Sequence, residues 1–245
     1  MVSVGIGRCG SRRGKGRLHL LVVNPNTSIR ATARIRDTAV RAAAAGTSVE
    51  AVSAPSGIAL IESREQSTRA GEAVVRLLMS RVGDFEAAII AAYSDPGLMQ
   101  SRQCIVQPVV GIAEASILEA SRDGRRFTVL MPEGPLVDYV RQVAVDAGVG
   151  TQLAAIRGLT APLSILADAP FARLELFRDM VRRAIDEDHA EAIVLGGGPL
   201  AGVAERLAPE FDVPLLDGVT CAVRRAERLV WSSSGRVRSR QRHVT

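Results

Sequence analysis

Two stretches of this chain, 105 positions apart, have nearly the same pattern of residues. Glu86–Ala92 reads EAAIIAA, and Glu191–Gly197 reads EAIVLGG. Each is an apolar run that ends in two very small residues and leads into a turn containing proline. A short apolar run bounded by turn residues is typical of a buried strand in a parallel sheet. The pair therefore predicts a duplicated α/β unit with two facing loops.

Two further pairs of segments recur at almost the same spacing. Val22–Pro25 corresponds to Val129–Pro132, 107 positions later, and Pro108–Ile112 corresponds to Pro214–Gly218, 106 positions later. Strand-like and helical stretches alternate between them, which favours parallel sheets. We expect an α/β fold made of two pseudo-symmetric parallel-sheet lobes with a cleft between them. Because ligands of open parallel sheets bind beyond the carboxyl ends of the strands, the cleft is the expected site.

The repeat also predicts where the lobes begin and end. We expect residues 18–112 together with 217–230 to form the first lobe, and residues 113–216 to form the second. The remaining residues, 1–17 and 231–245, are expected to be disordered basic tails.

The net charge of +5 is carried by the ends of the chain. Residues 1–20 and 234–245 contain nine lysines and arginines and no acidic residue, which leaves 22 basic and 26 acidic residues in the body. Only 3% of the residues are aromatic. A nucleic-acid partner is therefore not expected, since it requires a basic face on the folded body and aromatic groups to stack bases.

Several enzyme classes are made improbable by residues that the chain lacks. Its one lysine is Lys15, near the amino terminus, which argues against a pyridoxal-phosphate enzyme. The three histidines lack metal-ligand spacing, and the three cysteines contain no C-x-x-C pair and fit a reducing compartment. No apolar run approaches the length of a membrane span. We expect a cytoplasmic protein with no membrane association, no cofactor and no metal.

The segment Asn24–Ser28 follows the first predicted strand and opens a helix. Thr27 or Ser28 suits the N-cap position. Free backbone N–H groups there, aided by the helix dipole, favour a bound carboxylate or similar anion. The alternative is a helix cap with no ligand.

The turn Tyr93–Gly97 follows the second strand of the first repeat. Ser94 or Asp95 suits the cap of the next helix, and the Tyr93 hydroxyl is expected near the strand end. The alternative is that Tyr93 packs in the core and Asp95 only caps.

In the second repeat, Gly196–Pro199 has almost no side chains, so a ligand can approach the backbone closely. The segment is not G-x-G-x-x-G, and a dinucleotide site is not indicated. Asp217 suits the cap of the closing helix.

The order of these motifs resembles the aspartate/glutamate/hydantoin racemase superfamily, and hydantoin racemases in particular. The resemblance covers roughly residues 18–230 and is carried by Asn24–Ser28, Ile61–Ser63, Ser94–Leu98, Val109–Ala115 and Val213–Val219. It implies a cofactor-independent enzyme with two cysteines, one at each pseudo-symmetric strand end. One thiolate removes the proton from the stereocentre, while the other thiol returns a proton to the opposite face.

The resemblance places the family's cysteines at Ala92 and Gly197, and neither residue can move a proton. Met131–Gly134 stands where these racemases usually carry threonines that bind the ligand. Weak candidates for the acid/base groups are Tyr93, Ser94, Asp95 and Glu133. The expected ligand-binding residues are Asn24, Asn26, Thr27, Ser28, Tyr93, Ser94, Gly197 and Gly198. In an intact cleft, Ala92→Cys combined with Gly197→Cys is expected to create or raise racemase activity.

Three functions remain open at this point. The first, which we favour, is an isomerase of the hydantoin or amino-acid racemase type that acts on a small carboxylate or cyclic imide by an altered mechanism. The second is another reaction on the same scaffold, such as decarboxylation or cis–trans isomerisation. The third is a non-catalytic protein that binds the same small molecules. Assembly into a homo-oligomer is compatible with each of them.

Overall fold

Strands and helices alternate along the chain in the computed structural model, which describes residues 18–55, 57–159 and 163–241. The strands in these ranges are β1 Leu18–Asn24, β2 Thr47–Ser53, β3 Ala87–Ile90, β4 Val109–Gly111, β5 Phe127–Pro132, β6 Leu153–Leu159, β7 Ala192–Leu195 and β8 Leu215–Asp217. The α-helices are α1 Ile29–Ala42, α2 Arg64–Ser80, α3 Leu98–Cys104, α4 Ile112–Ala120, α5 Val137–Asp146, α6 Leu163–Asp168, α7 Leu174–Asp188, α8 Val203–Leu207 and α9 Gly218–Gln241.

The strands form two parallel four-stranded sheets with the same topology. The first has the order β2-β1-β3-β4 and the second the order β6-β5-β7-β8. The register is also repeated, because Leu20 pairs with Ala87 in the first sheet and Phe127 pairs with Ala192 in the second. Leu20 and Phe127 are 107 positions apart, and Ala87 and Ala192 are 105 positions apart, which are offsets of the sequence repeat. The predicted fold class, two pseudo-symmetric parallel α/β lobes, is confirmed.

The amino ends of the central strands are joined in the same way in both sheets. The Glu86 N–H donates to the carbonyl of His19 at 2.9 Å, and its carboxylate accepts the His19 N–H at 2.6 Å. In the second sheet the Glu191 N–H donates to the carbonyl of Arg126 at 2.8 Å, and its carboxylate accepts the Arg126 N–H at 2.8 Å. This double hydrogen bond aligns β1 with β3 and β5 with β7.

One hydrophobic cluster contains residues of both sheets, beside clusters that belong to each sheet alone. The strands β3 and β7 are buried along their whole length, as expected for parallel strands covered by helices on both faces. Leu20, Ile89, Phe127 and Val194 belong to one apolar cluster that includes side chains of both sheets. The helix α9 packs on α1, β3 and β4, and also on α4, which contacts α5 and β7. These two helices connect the lobes and fix the relative position of the sheets' carboxyl ends.

Two helices differ from the sequence-based expectation. The helix α9 continues to Gln241, so the first part of the predicted tail 231–245 is helical. This stretch contains no proline and is rich in arginine, which favours helix. The helix α6 was not predicted, because six residues are too few to show a helical period. The tail 1–17 and residues 242–245 lie outside the described residues. No helix in the described ranges is long and apolar enough to cross a membrane.

Candidate functional site

A cavity of about 230 Å³ lies between the carboxyl ends of the two sheets. It is lined from the first lobe by Asn26, Leu60, Ile61, Glu62, Ala91, Ala92, Tyr93 and Ser94, and from the second lobe by Met131, Pro132, Glu133, Gly134, Pro135, Leu136, Gly196, Gly197, Gly198 and Pro199. Most of these residues are apolar. Among the described residues, no lysine, arginine, histidine or cysteine lines this cavity.

The two strand ends face this cavity in equivalent positions. The Ala91 N–H donates to the carbonyl of Val23 at 2.8 Å, and the Gly196 N–H donates to the carbonyl of Leu130 at 2.7 Å. The next residue in each loop, Ala92 or Gly197, therefore lies at the same point relative to its sheet, and both line the cavity. The expectation that the two loops face one pocket agrees with this geometry.

The backbone at Gly197 is unlike that of an ordinary residue. Its φ is 142°, in a region that residues with a side chain rarely adopt. A Cβ atom there would meet nothing closer than 3.7 Å, so there is space for a side chain. The obstacle to any other residue at this position is the backbone conformation and not crowding.

The first loop, Asn24–Ser28, is held by its own side chains. Ser28 is the N-cap of α1, as predicted, and its hydroxyl accepts the Ala31 N–H at 3.3 Å. The Asn24 amide donates to Asn26 Oδ1 at 2.9 Å, and the Ser28 N–H donates to the same oxygen at 2.9 Å. The Thr27 N–H donates to a backbone carbonyl at 3.0 Å. The N–H groups expected to hold an anion thus have partners within the protein.

Asn26 is the one residue of this loop that lines the cavity. The residue is 5% exposed, and its amide nitrogen is not one of the described buried side-chain atoms that lack a hydrogen-bond partner. Asn24, Thr27 and Ser28 do not line the cavity. The structure therefore separates the predicted ligand residues of this loop into three that shape it and one, Asn26, that lines the cavity.

Glu133 is the counterpart of Asn26 in the second lobe. Both follow a proline at the end of the first strand of their sheet, and they are 107 positions apart, as β1 and β5 are. Both line the cavity, although Glu133 is exposed and Asn26 is buried. The cavity is thus lined by an amide residue on one side and an acidic residue on the other.

Tyr93 joins the two site loops by packing. Its ring lies against Gly196, where a Cβ atom would come within 2.6 Å of Cε1. Its hydroxyl lies 3.2 Å from the hydroxyl of Ser116 in α4. Burial raises the pKa of Tyr93 well above its ordinary value. Proton transfer by this phenol is therefore unfavourable, and its structural role is to hold the loops together.

Ser94 and Asp95 do not cap the helix that follows them, so that prediction is wrong. The helix α3 begins at Leu98, after Gly97, and has no side-chain cap. Ser94 lines the cavity, and its hydroxyl accepts a hydrogen bond from Ser67 of α2 at 2.8 Å.

The carboxylate of Asp95 caps α4 instead. It accepts the N–H of Ala113 at 3.0 Å and the N–H of Glu114 at 2.9 Å. Burial raises the pKa of Asp95 to about 7, and these two hydrogen bonds oppose that shift. Asp95 lines a separate groove of about 980 Å³ beside α2, α3 and α5, and not the inter-lobe cavity. Of the four weak catalytic candidates, Glu133 is the one acidic residue that lines the cavity, and its side chain lies against Gly158 of β6.

Glu62 is a lining residue that the sequence did not identify as part of the site. It belongs to the family-like segment Ile61–Ser63, in the loop between β2 and α2. Only the position of this loop over the cavity brings Glu62 to the lining. In the sequence, only the similarity of this segment to a family motif pointed to Glu62, and that similarity did not indicate a chemical role for the residue.

Neither described cysteine belongs to the cavity. Cys221 is buried in α9, where burial raises the pKa of its thiol well above the ordinary value. Cys104 is exposed at the end of α3. Within the described ranges, no group of three His, Cys, Asp or Glu side chains is placed to hold a metal ion.

Known proteins resemble this chain over most of its length. The family described as Asp/Glu/Hydantoin racemase matches residues 20–226. A hydantoin racemase of Pseudomonas sp. (strain NS671) is 35% identical over 87% of this chain and 86% of its own, and one of Paenarthrobacter aurescens is 31% identical over 87% and 91%. The solved structure of allantoin racemase from Klebsiella pneumoniae superposes with a TM-score of 0.84 and 32% identity, covering 88% of this chain and 89% of its own. The chain therefore belongs to the Asp/Glu/hydantoin racemase family.

Proposed function

We propose that this protein binds a small cyclic imide or carboxylate in the inter-lobe cavity and acts on it as an isomerase that does not use thiols. The observation that carries the proposal is that Ala92 and Gly197, at equivalent strand ends, line one cavity whose described lining contains no cysteine. Membership of the family supports a reaction of the racemase type. The relatives named above are racemases of hydantoin and allantoin.

A cyclic imide fits the polar groups of the cavity better than a free carboxylate does. The amide nitrogen of Asn26 suits a ligand carbonyl, and the carboxylate of Glu133 suits a ligand N–H. A hydantoin-like ring carries both groups side by side. A carboxylate offers acceptors only, so it would satisfy Asn26 and leave Glu133 facing a like charge.

Glu133 is the group that we assign to proton transfer. A carboxylate within reach of the ring carbon can act as a general base, and the resulting acid can return the proton. Glu133 lines the cavity from the side of the second lobe, and no acidic residue of the described lining faces it from the position of Ala92. Because the same group removes and returns the proton, most protons return to the face from which they came. Exchange of the ring proton with solvent is then faster than racemisation. In a two-base enzyme the rates of exchange and racemisation are comparable.

Hydrogen exchange in D₂O tests this function. One enantiomer of a benzyl-substituted hydantoin is incubated with the protein, and NMR follows deuterium uptake while polarimetry follows racemisation. We expect uptake above a protein-free blank, with slower loss of optical rotation. Glu133→Gln should return uptake to the blank. The matched control is Asp186→Asn, which removes an exposed, unpaired carboxylate outside the cavity and should change nothing. Uptake equal to the blank would contradict an isomerase.

A second candidate, non-catalytic binding, is favoured by the backbone of Gly197. Its φ of 142° means that a cysteine restored there would strain the backbone. A site adapted only for binding has no need of a side chain at that point. A hydantoin that raises the melting temperature without any deuterium uptake would support this candidate over the isomerase.

A further inference from the structure

We infer that the hydroxyls of Ser67 and Ser94 form a proton relay, which carries a proton from solvent in the groove beside α2 to a ligand in the inter-lobe cavity. The relay rests on the proposed function, because it supplies the second proton of the same reaction. Two observations support it: the position of Ser94 between two open volumes, and the direction of its hydrogen bond.

Ser94 separates the inter-lobe cavity from the groove that also contains Asp95. It lines both volumes, and no other described residue of the cavity lining does so. Ser67 lines the groove alone. Ser94 is 3% exposed, whereas Ser67 is partly exposed. Ser67 is therefore the end of the pair that water can reach, and Ser94 is the end that a bound ligand can reach.

The hydrogen bond between the two serines runs towards the cavity. The Ser67 hydroxyl donates to the Ser94 hydroxyl at 2.8 Å. A hydroxyl that accepts a hydrogen bond keeps its own hydrogen for donation, so Ser94 can donate in turn to a ligand in the cavity that it lines. Ser67 is fixed in the first turn of α2, where its N–H donates to the carbonyl of Ser63 at 2.9 Å. The order of donation is the one that an inward relay requires.

The relay enters the cavity beside the strand end that lost its proton carrier. Ala92, two residues before Ser94 in the same loop, has no group that can move a proton. The hydroxyl of Tyr93 is 3.2 Å from that of Ser116 in the core, so it is directed away from the ligand. Ser94 is the remaining hydroxyl of this strand end, and Glu133 belongs to the other lobe.

The relay accounts for the slower inversion that accompanies exchange. Glu133 removes the proton from the ring carbon, and the electron pair of the broken C–H bond remains on the ring as an enolate. The Ser94 hydroxyl gives its proton to the opposite face, where that electron pair forms the new C–H bond. Ser94 takes a proton from Ser67, which takes one from water in the groove. The proton held by Glu133 passes to solvent and neutralises the hydroxide formed there.

The ratio of racemisation to deuterium uptake tests the relay. Uptake requires Glu133, whereas inversion also requires Ser94. With one enantiomer of a benzyl-substituted hydantoin in D₂O, we expect Ser94→Ala to lower racemisation about tenfold more than it lowers uptake. Ser67→Ala should reduce the ratio less, about threefold, because a water molecule can partly replace the lost hydroxyl. Ser94→Thr, which keeps a hydroxyl, should recover part of the racemisation lost in Ser94→Ala.

The matched control is Ser101→Ala, because Ser101 is buried in α3 and lines neither volume. It should leave the ratio unchanged. Equal falls of racemisation and uptake in Ser94→Ala would show that Ser94 only holds the ligand. A reduced ratio in Glu62→Gln, with none in Ser94→Ala, would assign the second proton to Glu62. Either result would overturn the relay and leave the proposed function intact.

Two further outcomes separate the relay from the reaction itself. If Ser94→Ala does not fold, Ser67→Ala decides the question, and an unchanged ratio in that variant overturns the relay. Uptake without racemisation in the wild type would also overturn it. Absence of uptake in the wild type would overturn both the relay and the proposed function.

Discussion

The two lobes agree at the amino ends of their strands and differ at the carboxyl ends. At the amino ends, Glu86 and Glu191 make the same pair of hydrogen bonds to the neighbouring strand. At the carboxyl ends, Asn26 in the first lobe is matched by Glu133 in the second. The duplication is retained where it only supports the sheets, and it is broken where a ligand would bind. An asymmetric small molecule needs such an asymmetric site.

The helices that follow the last strands show a second difference. After the first sheet, α4 is capped by Asp95, which comes from the loop after β3. After the second sheet, α9 is capped by Asp217, which immediately precedes it and accepts the Thr220 N–H at 2.9 Å. One cap thus connects a site loop to a helix of the core, and the other is local. The loop after β3 is anchored by the carboxylate of Asp95. In the loop after β7 the equivalent position is occupied by Leu200, which has no carboxylate.

Removing the two caps should have unequal effects on stability. We expect Asp95→Ala to lower the free energy of unfolding by about 2–4 kcal/mol, because two N–H groups in the interior lose their acceptor. Asp217→Ala should cost about 1–2 kcal/mol, as for the loss of an ordinary N-cap. Urea unfolding measures both. Equal losses in the free energy of unfolding would show that the Asp95 cap stabilises the protein no more than an ordinary local N-cap does.

The pH dependence of stability should also report Asp95. Its pKa is raised to about 7 in the folded protein, above the ordinary value of 3.8, so the folded state binds the extra proton between these values. The contribution of Asp95 is therefore present at low pH and is lost as pH rises towards 7. We expect the difference in unfolding free energy between the wild type and Asp95→Asn to fall over this range. A difference that rises with pH would mean that the two N–H groups lower the pKa of Asp95 by more than burial raises it.

The strand ends should respond differently to a new side chain. Gly197→Ala should cost about 1–3 kcal/mol of stability, because alanine is strained at a φ of 142°. Ala92→Cys should cost less than about 1 kcal/mol, since Ala92 already carries a Cβ atom and borders the cavity. Urea unfolding of the two variants is the measurement. A Gly197→Ala variant as stable as the wild type would indicate that the second loop readily adopts another conformation, and restoring both cysteines would then be feasible.

The contact between the loops should be insensitive to the Tyr93 hydroxyl. Tyr93→Phe keeps the ring against Gly196 and removes only the hydrogen bond to Ser116, so we expect a loss of about 1 kcal/mol in urea unfolding. Tyr139→Phe is the control, because the hydroxyl of Tyr139 makes no hydrogen bond to another described residue. A much larger loss for Tyr93→Phe would show that the hydroxyl, and not ring packing, holds the loops.

The sequence allowed the fold and the place of the cavity to be predicted, because both depend on the repeat. The spacing between Val22–Pro25 and Val129–Pro132 reproduces the strand register. The caps at Ser28 and Asp217 were also predictable, since each acts on the helix that directly follows it.

Contacts between distant segments were not predictable in this way. Asp95 caps a helix whose first turn lies 18 residues further along the chain, past α3 and β4. A local pattern cannot distinguish this partner from the adjacent helix. Glu62 could not be predicted for the same reason, since its place at the cavity depends on how a long loop folds back over the sheet.

Protection of a thiol placed at Ala92 tests most directly that the cavity between the two strand ends is a binding site. In Ala92→Cys, mass spectrometry measures the rate of alkylation of the new thiol with and without a saturating hydantoin. Cys104 is exposed and lies outside the cavity, so it serves as an internal control. We predict that the ligand slows alkylation at position 92 and leaves that of Cys104 unchanged. An unchanged rate at position 92, with a ligand that binds, would place the site elsewhere and contradict the account.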